Sequence, residues 1–145
     1  ASQRGTWAEE VDIRPTMLWL LGLRDDYATD GRVVSQLLAQ PTAPLVRTQG
    51  LATAYQQINS SVGTLATMTL QADSRALASG SATQHRRYDR TEKALHKIAS
   101  RRDVLATEMK RQLKRAAAGH VANRGHLRDL IVQSYALLRK ARHLG

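Results

Sequence analysis

Leu51, Tyr55, Ile58, Val62, Leu65, Thr69, Ala72 and Ala76 follow one another at alternating steps of four and three. A strand alternates at every second residue, so this spacing belongs to a helix with one face buried for more than three heptads. Tyr88, Leu95, Ile98, Leu105, Met109 and Leu113 form a second seam, and Leu127, Leu130, Ile131, Ser134, Leu138 and Ala141 a third, shorter one. Asn59-Ser60-Ser61 and Gly63 lower helix propensity inside the first seam and predict a kink there. Ser79-Gly80-Ser81 interrupts the pattern, and Ser81 with Gln84 three residues on has the form of a capping box that restarts a helix. Gly119 suits the left-handed position that closes the second helix, with Lys110, Arg111, Lys114 and Arg115 near the negative end of its dipole. Short turns between long helices make them antiparallel neighbours. The expected fold class is all-α: an antiparallel bundle of two long helices, each about 50 Å, and one shorter helix.

Residues 1–43 read differently. Asp12 precedes an apolar run and can accept from first-turn N–H groups, with Pro15 falling where its missing donor is harmless. Met17, Leu18, Trp19, Leu20 and Leu21 are apolar nearly all round, which predicts a buried helix. Gly22 suits the closing left-handed position, and Leu23 folds back on the last turn. Arg24 to Gly31 is turn-rich, and Val33, Val34, Leu37 and Leu38 predict a second short helix stopped by Pro41 and Pro44. Forty-three residues cannot supply the surface that such a buried helix needs. The expectation is an incomplete catalytic-type tail over 1–43 and a helical extension over 44–145, the chain continuing upstream of Ala1. Without that surface the tail would re-pack on the bundle or pair with another chain.

Charge divides at nearly the same place. The chain carries +10, but residues 1–72 carry −1 and residues 73–145 carry +11. Between Arg86 and Arg115 lie 11 basic and 4 acidic residues on one helical stretch. The pairs Asp89–Lys93, Arg86–Asp89 and Glu108–Arg111 have helical spacing and leave most of that charge unneutralised. The candidate anion-contact face is Arg86, Arg87, Arg90, Lys93, Lys97, Arg101, Lys110, Arg111, Lys114 and Arg115. Its partner would be nucleic acid, an acidic lipid surface, a cell-wall polymer or the acidic face of a catalytic domain. Arg102 falls on a seam position, from which its long side chain can reach solvent.

Little in the sequence carries covalent chemistry. With no Cys there is no disulfide, thiolate metal site or cysteine nucleophile. The absence of Phe, with only six other aromatics, argues against a base-stacking sheet of the kind that reads single-stranded RNA. The longest clean apolar run, Met17–Leu21, is far short of the roughly 20 residues of a membrane span. His85, His96, His120, His126 and His143 have no metal-ligand spacing and read as solvated or capping side chains. Asp25, Asp26 and Asp30 lack calcium-loop spacing and read as turn residues. No phosphate-binding loop or nucleophile elbow occurs, so no catalytic, cofactor-binding or metal residue is assigned.

Residues 6–34 carry a resemblance. Val11-Asp-Ile-Arg-Pro-Thr16, Leu20-Leu-Gly-Leu23 and then Arg24-Asp-Asp-Tyr27 to Asp30-Gly-Arg-Val-Val34 resemble the end of the catalytic domain in alkaline-phosphatase-superfamily hydrolases. That group includes the sulfatases and phosphodiesterases. Ala54-Tyr-Gln-Gln-Ile-Asn59 and Arg102-Asp-Val-Leu-Ala106 are similar to the helical C-terminal extension of bacterial, often secreted members. The resemblance implies an α/β catalytic domain upstream, with a two-metal site and a Ser or Thr nucleophile, and residues 12–23 packed on its sheet. It transfers no catalytic residue, because related sequences carry Asp-His where this chain has Glu9-Glu10.

Three functions compete at this level. The chain is the non-catalytic C-terminal part of a phosphate- or sulfate-ester hydrolase, with divalent metals implied for the parent enzyme and none in this segment. Alternatively, its basic helix is a binding module for nucleic acid or an anionic surface. As a third possibility, the long hairpin mediates self-association as a homo-oligomer.

Overall fold

The computed structural model describes residues 7–24, 27, 29–77 and 82–144, the side chains of 76, 77 and 82–87 excepted. Among the described residues it is all-helical, with no strand: α1 (Glu10–Leu20), a 3-10 turn (Ser35–Leu37), α2 (Ala43–Arg47), α3 (Gln49–Asn59), α4 (Thr64–Leu77), α5 (Ala82–Ala117) and α6 (Arg124–Arg142). No helix is long and apolar enough to cross a membrane among those residues. The all-α expectation holds, and the count of long helices changes.

Only α5, at 36 residues, is long. The first seam splits into α3 and α4, which flank a turn at residues 60–63. Ser60 turns extended (ψ 144°), and its hydroxyl accepts the N–H of Val62 at 3.2 Å. A Cβ on Gly63 would meet the carbonyl oxygens of Gln56 at 2.6 Å and Gln57 at 2.9 Å. The chain therefore leaves the helix instead of kinking within it, and Val62, on the seam by spacing, stands 67% exposed. Leu51, Tyr55, Ile58 and Leu65 stay in the core with Ile98, Leu105, Met109, Leu127, Leu130 and Leu138. Each of α3, α5 and α6 packs on the other two, and α4 packs on all three. The cross-links Arg101–Gln133 (2.6 Å) and Glu108–His126 (2.7 Å) run in opposite order along α5 and α6, which makes these two helices antiparallel. Ser81 and the side chain of Gln84, the expected capping box, lie outside the described residues.

Both expected glycine stops form. Gly22 (φ 70°) and Gly119 (φ 88°) are left-handed. The N–H groups of Leu23 and Gly22 reach the carbonyls of Leu18 and Trp19, and those of His120 and Gly119 reach Arg115 and Ala116, the paired bonds of a Schellman closure. Ala118 N–H takes the Lys114 carbonyl. The last carbonyl of α5, Ala117, accepts the indole N–H of Trp19 at 3.1 Å. A residue 98 positions away thus completes this helix end, where four carbonyls lack intrahelical partners.

The N-terminal segment departs most from expectation. Helix α1 starts at Glu10, so Asp12 is its third residue and Pro15 its sixth, beyond the first turn. Asp12, 3% exposed, accepts from the N–H of Glu9 at 3.2 Å and of Arg32 at 2.9 Å. Pro15 has no N–H for the Val11 carbonyl, and Gly31 sits against that carbonyl so closely that a Cβ would be 1.7 Å from its oxygen. Thr16 takes the N–H of Val34 at 3.0 Å. The expected second helix over Val33–Leu38 is only the 3-10 turn Ser35–Leu37, and the N–H groups of Arg32 and Val34 just ahead of it are donated to Asp12 and Thr16 of α1.

These bonds turn α1 polar side inward. Ile13, Met17, Leu20 and Leu21 are between 52% and 67% exposed, the opposite of a helix buried all round. The segment itself is docked on the bundle, as one of the two expected outcomes required. Tyr55 donates to the Asp30 carbonyl (2.9 Å), Gln56 to the Trp7 carbonyl (2.7 Å) and Ser60 to Glu9 (2.7 Å).

Candidate functional site

The ten candidate cations do not form one face. Residues 90, 93, 97 and 101 step by three, four and four, so they share a side of α5, and 111 and 115 return to it. Lys110 and Lys114 lie on another side, facing the N-terminal segment: Lys110 pairs with Asp30 at 2.7 Å, and Lys114 donates to the Tyr27 carbonyl at 3.2 Å. Both leave the anion face for this reason. Arg101 donates to Gln133, and Arg111 is bound twice by Glu108 at 2.8 Å. The side chains of Arg86 and Arg87 lie outside the described residues. Arg90, Lys93, Lys97 and Arg115 engage in no ion pair among the described residues, and all four are exposed. Helix α6, absent from the sequence-based face, carries a separate row of exposed Arg124, Arg128, Arg139 and Arg142 with half-exposed Tyr135, and Tyr135, Arg139 and Arg142 border Thr53, Gln57 and Thr64 of α3 and α4. Their positions at 124, 128, 135, 139 and 142 are helical neighbours, a spacing visible in the sequence.

Glu108 clamps α5 to α6. It accepts from Arg111, Gln112 and His126, and these donors, Arg111 foremost, hold its carboxyl down from 4.5 to about 2. His126 thus has an acidic partner 18 residues away that sequence proximity could not show. Side chains of Asp25, Asp26 and His85 lie outside the described residues. Among those described, no three His, Asp or Glu side chains converge on a point that could hold a metal.

The concavities among the described residues include four, of about 890, 430, 350 and 210 Å³, and the first and the last have the largest apolar walls. The larger, about 890 Å³, is an open groove between α4 and α5, floored by Ile58, Leu65 and Ile98 and edged by Asp73, Glu92, Lys93, Lys97 and Arg102. Charges of both signs at its edge define no ligand. The smaller, about 210 Å³, lies where α1, residues 23 and 24 and residues 31–33 meet the end of α5. Its walls combine Leu18, Trp19, Leu23, Val33 and Leu113 with Arg24, Arg32, Lys110 and Lys114. Arg32 is 3% exposed; its Nη1 donates to Gln36 at 2.9 Å and to the Val33 carbonyl. Its Nε and Nη2 are buried with no hydrogen-bond partner among the described residues. Burial pulls its pKa below the usual value, against the opposing pull of Asp12 and Glu9. Burial likewise raises the Tyr55 hydroxyl, with Asp30 adding to it. Buried donors left unpaired cost about 1–3 kcal/mol each, and more when charged, so this arginine is an expensive feature. Nothing in the sequence distinguished it from other arginines.

No family model matches the chain, and no curated protein or solved structure matches it either.

Proposed function

We propose that this chain is the non-catalytic C-terminal part of a metal-dependent phosphate- or sulfate-ester hydrolase, with α1 the contact between an upstream α/β catalytic domain and the helical extension. One observation carries the reading: α1 turns Asp12, Thr16 and Trp19 toward its own bundle and leaves Ile13, Met17, Leu20 and Leu21 open. A contiguous apolar helix face of this kind marks a surface covered by another body. The residues of α1 are also those that resemble the end of the hydrolase catalytic domain, whose terminal helix packs on a sheet. The metals and the nucleophile belong to the upstream domain. The catalytic domain sits against one side of α1, and the bundle against the other.

The test is twofold. The 145-residue chain, assayed with aryl phosphate, phosphodiester and aryl sulfate substrates and added divalent metal, gives no turnover; robust turnover overturns the reading. The gene upstream of Ala1 encodes a catalytic domain, and in the whole protein Met17→Ser with Leu20→Ser loosens the junction to proteolysis. An upstream frame lacking that domain ends the proposal.

A second reading rests on a separate observation: exposed Arg90, Lys93, Lys97 and Arg115 share one side of α5 and make no ion pair among the described residues. It makes the extension an electrostatic contact for a polyanion. Binding of a DNA duplex would then weaken steeply with salt, each released counterion adding about 0.9 to the log–log slope. Absence of binding at low ionic strength rejects it.

A further inference from the structure

We propose that the 890 Å³ groove between α4 and α5 is a self-association face, filled by the outer side of α4 from a second copy of this chain. The inference does not depend on the ester-hydrolase reading. Tyr88 and Leu95 belong to the hydrophobic seam of α5, yet Tyr88 is 37% exposed and Leu95 only half-buried. Both line the groove above the buried Ile58, Leu65 and Ile98, so this stretch of seam lacks its cover. The small side chains of Ala66, Thr69 and Ala99 along it let a further helix approach to about 8–10 Å. The volume matches about two turns of a helix roughly 10 Å across. The chain itself carries a fitting insert. Leu70, 68% exposed, follows Ala66 by four residues and precedes Asp73 by three, and so stands on their side of α4.

Charge complementarity selects the second copy and its direction. Helices α4 and α5 are joined by residues 78–81 alone and pack on each other, so they run antiparallel. Among the described lining, Asp73 and Glu92 stand toward the joined end with Lys93, whereas Lys97 and Arg102 stand toward the open end with no acid. Arg102 is shared with Asp103 outside the groove. Asp73, Glu92 and Lys97 make no ion pair among the described residues. Mixed signs suit no small ligand, but they suit a surface that carries the same signs in reverse order. A two-fold axis across the groove lays the joined end of each copy on the open end of the other, and makes every contact twice. Asp73 of one copy then faces Lys97 of the other. The parallel alternative sets acid on acid, which is repulsive. The +10 of each chain opposes association at a distance, but physiological salt screens it beyond about 8 Å.

The experiment is equilibrium sedimentation of the full chain at about 0.15 M salt. A monomer–dimer equilibrium is expected; a strict monomer at about 1 mM chain, or assembly past the dimer, overturns the proposal. Leu70→Glu weakens the dimer by about tenfold or more with helicity retained in circular dichroism, and a dimer of undiminished strength overturns the proposal. Should that variant lose helicity, the charge variants decide. Asp73→Lys and Lys97→Glu, both at exposed positions, each weaken self-association by about tenfold, because two attractive pairs become repulsive. Mixed in equal amounts, the two variants form a heterodimer of parental strength. There the two reversed charges face each other, and the remaining Asp73 faces the remaining Lys97. No recovery on mixing overturns the antiparallel pairing. Met17→Ser with Leu20→Ser, on α1, leaves the dimer intact. Loss of the dimer in that variant, with Leu70→Glu still dimeric, moves the interface to α1 and rejects the groove.

Discussion

Replacing Gly31 by alanine tests the attachment of α1 most directly. The added methyl carbon would lie 1.7 Å from the Val11 carbonyl oxygen and 2.5 Å from its carbon, where ordinary contact begins at 3.4 Å. Neither obstacle is a side chain that can swing aside, so one backbone retreats by about 1.7 Å. That displacement breaks the bond from Arg32 N–H to Asp12 (2.9 Å) and the bond from Val34 N–H to Thr16 (3.0 Å). The first has a charged acceptor and is worth about 1.5–3 kcal/mol, the second about 1 kcal/mol. Together they come to about 3 kcal/mol, which for a chain of this size lowers the melting temperature by about 10 °C. Thermal denaturation followed by far-UV circular dichroism reads the shift. Hydrogen exchange at the Arg32 and Val34 amides reads its location. Two glycines serve as controls. Gly22, left-handed at φ +70° with nothing within 4 Å of a Cβ, costs about 1–2 kcal/mol as alanine and leaves those amides protected. Gly50, in α3, would place its methyl an ordinary 3.6 Å from Ile131, and its alanine gains up to about 1 kcal/mol. A Gly31→Ala chain that melts within about 2 °C of the parent, with both amides still protected, refutes this docking of α1.

Three further outcomes follow from the same geometry. Glu108, held near pKa 2 by Arg111, Gln112 and His126, contributes stability that is complete above its ordinary 4.5 and fades as pH falls toward 2. Melting curves between pH 2 and 7 should therefore slope less in Glu108→Gln than in the parent, and parallel slopes would contradict the clamp. Trp19→Phe keeps the ring's bulk but leaves the Ala117 carbonyl without its indole donor; it should cost about 1–2 kcal/mol in denaturant titration, and no loss would show that water replaces the bond fully. Met109, fully buried among the seams of α5 and its neighbours, should cost about 2–5 kcal/mol as alanine, measured the same way, whereas alanine at exposed Val104 should fall within about 0.5 kcal/mol of the parent.

The seams explain how much of the fold was legible. Spacing alone places Leu51, Tyr55, Ile58, Ile98, Leu105, Met109, Leu127 and Leu130 in the core, because burial of one helix face is a local periodicity. Gly22 and Gly119 announce their helix ends because a left-handed residue is a local backbone requirement. At residues 60–63 the sequence predicts only a kink, since the hydrophobic spacing continues across the break through Val62 and hides the turn. Of the candidate site, the α5 stripe is legible as charge at helical intervals. The departure of Lys110 and Lys114 is not, since it depends on where Asp30 and Tyr27 come to rest. Arg32 is invisible for a related reason: a buried guanidinium and an exposed one are the same letter.

By itself, then, the sequence determined that the chain is helical, which residues line each seam, where two helices close, and that the positive charge gathers after residue 72. Only the tertiary structure decided which side of α1 is covered. Its last turn, from Met17 to Leu20, is apolar nearly all round, so hydrophobicity there does not choose a face. The choice falls to bonds made across the chain, Asp12 to the amide of Arg32, Thr16 to that of Val34 and Trp19 to the carbonyl of Ala117. Each joins residues 18 to 98 positions apart. Those bonds turn the polar side inward, open the apolar side, and enclose the cavity beside Arg32.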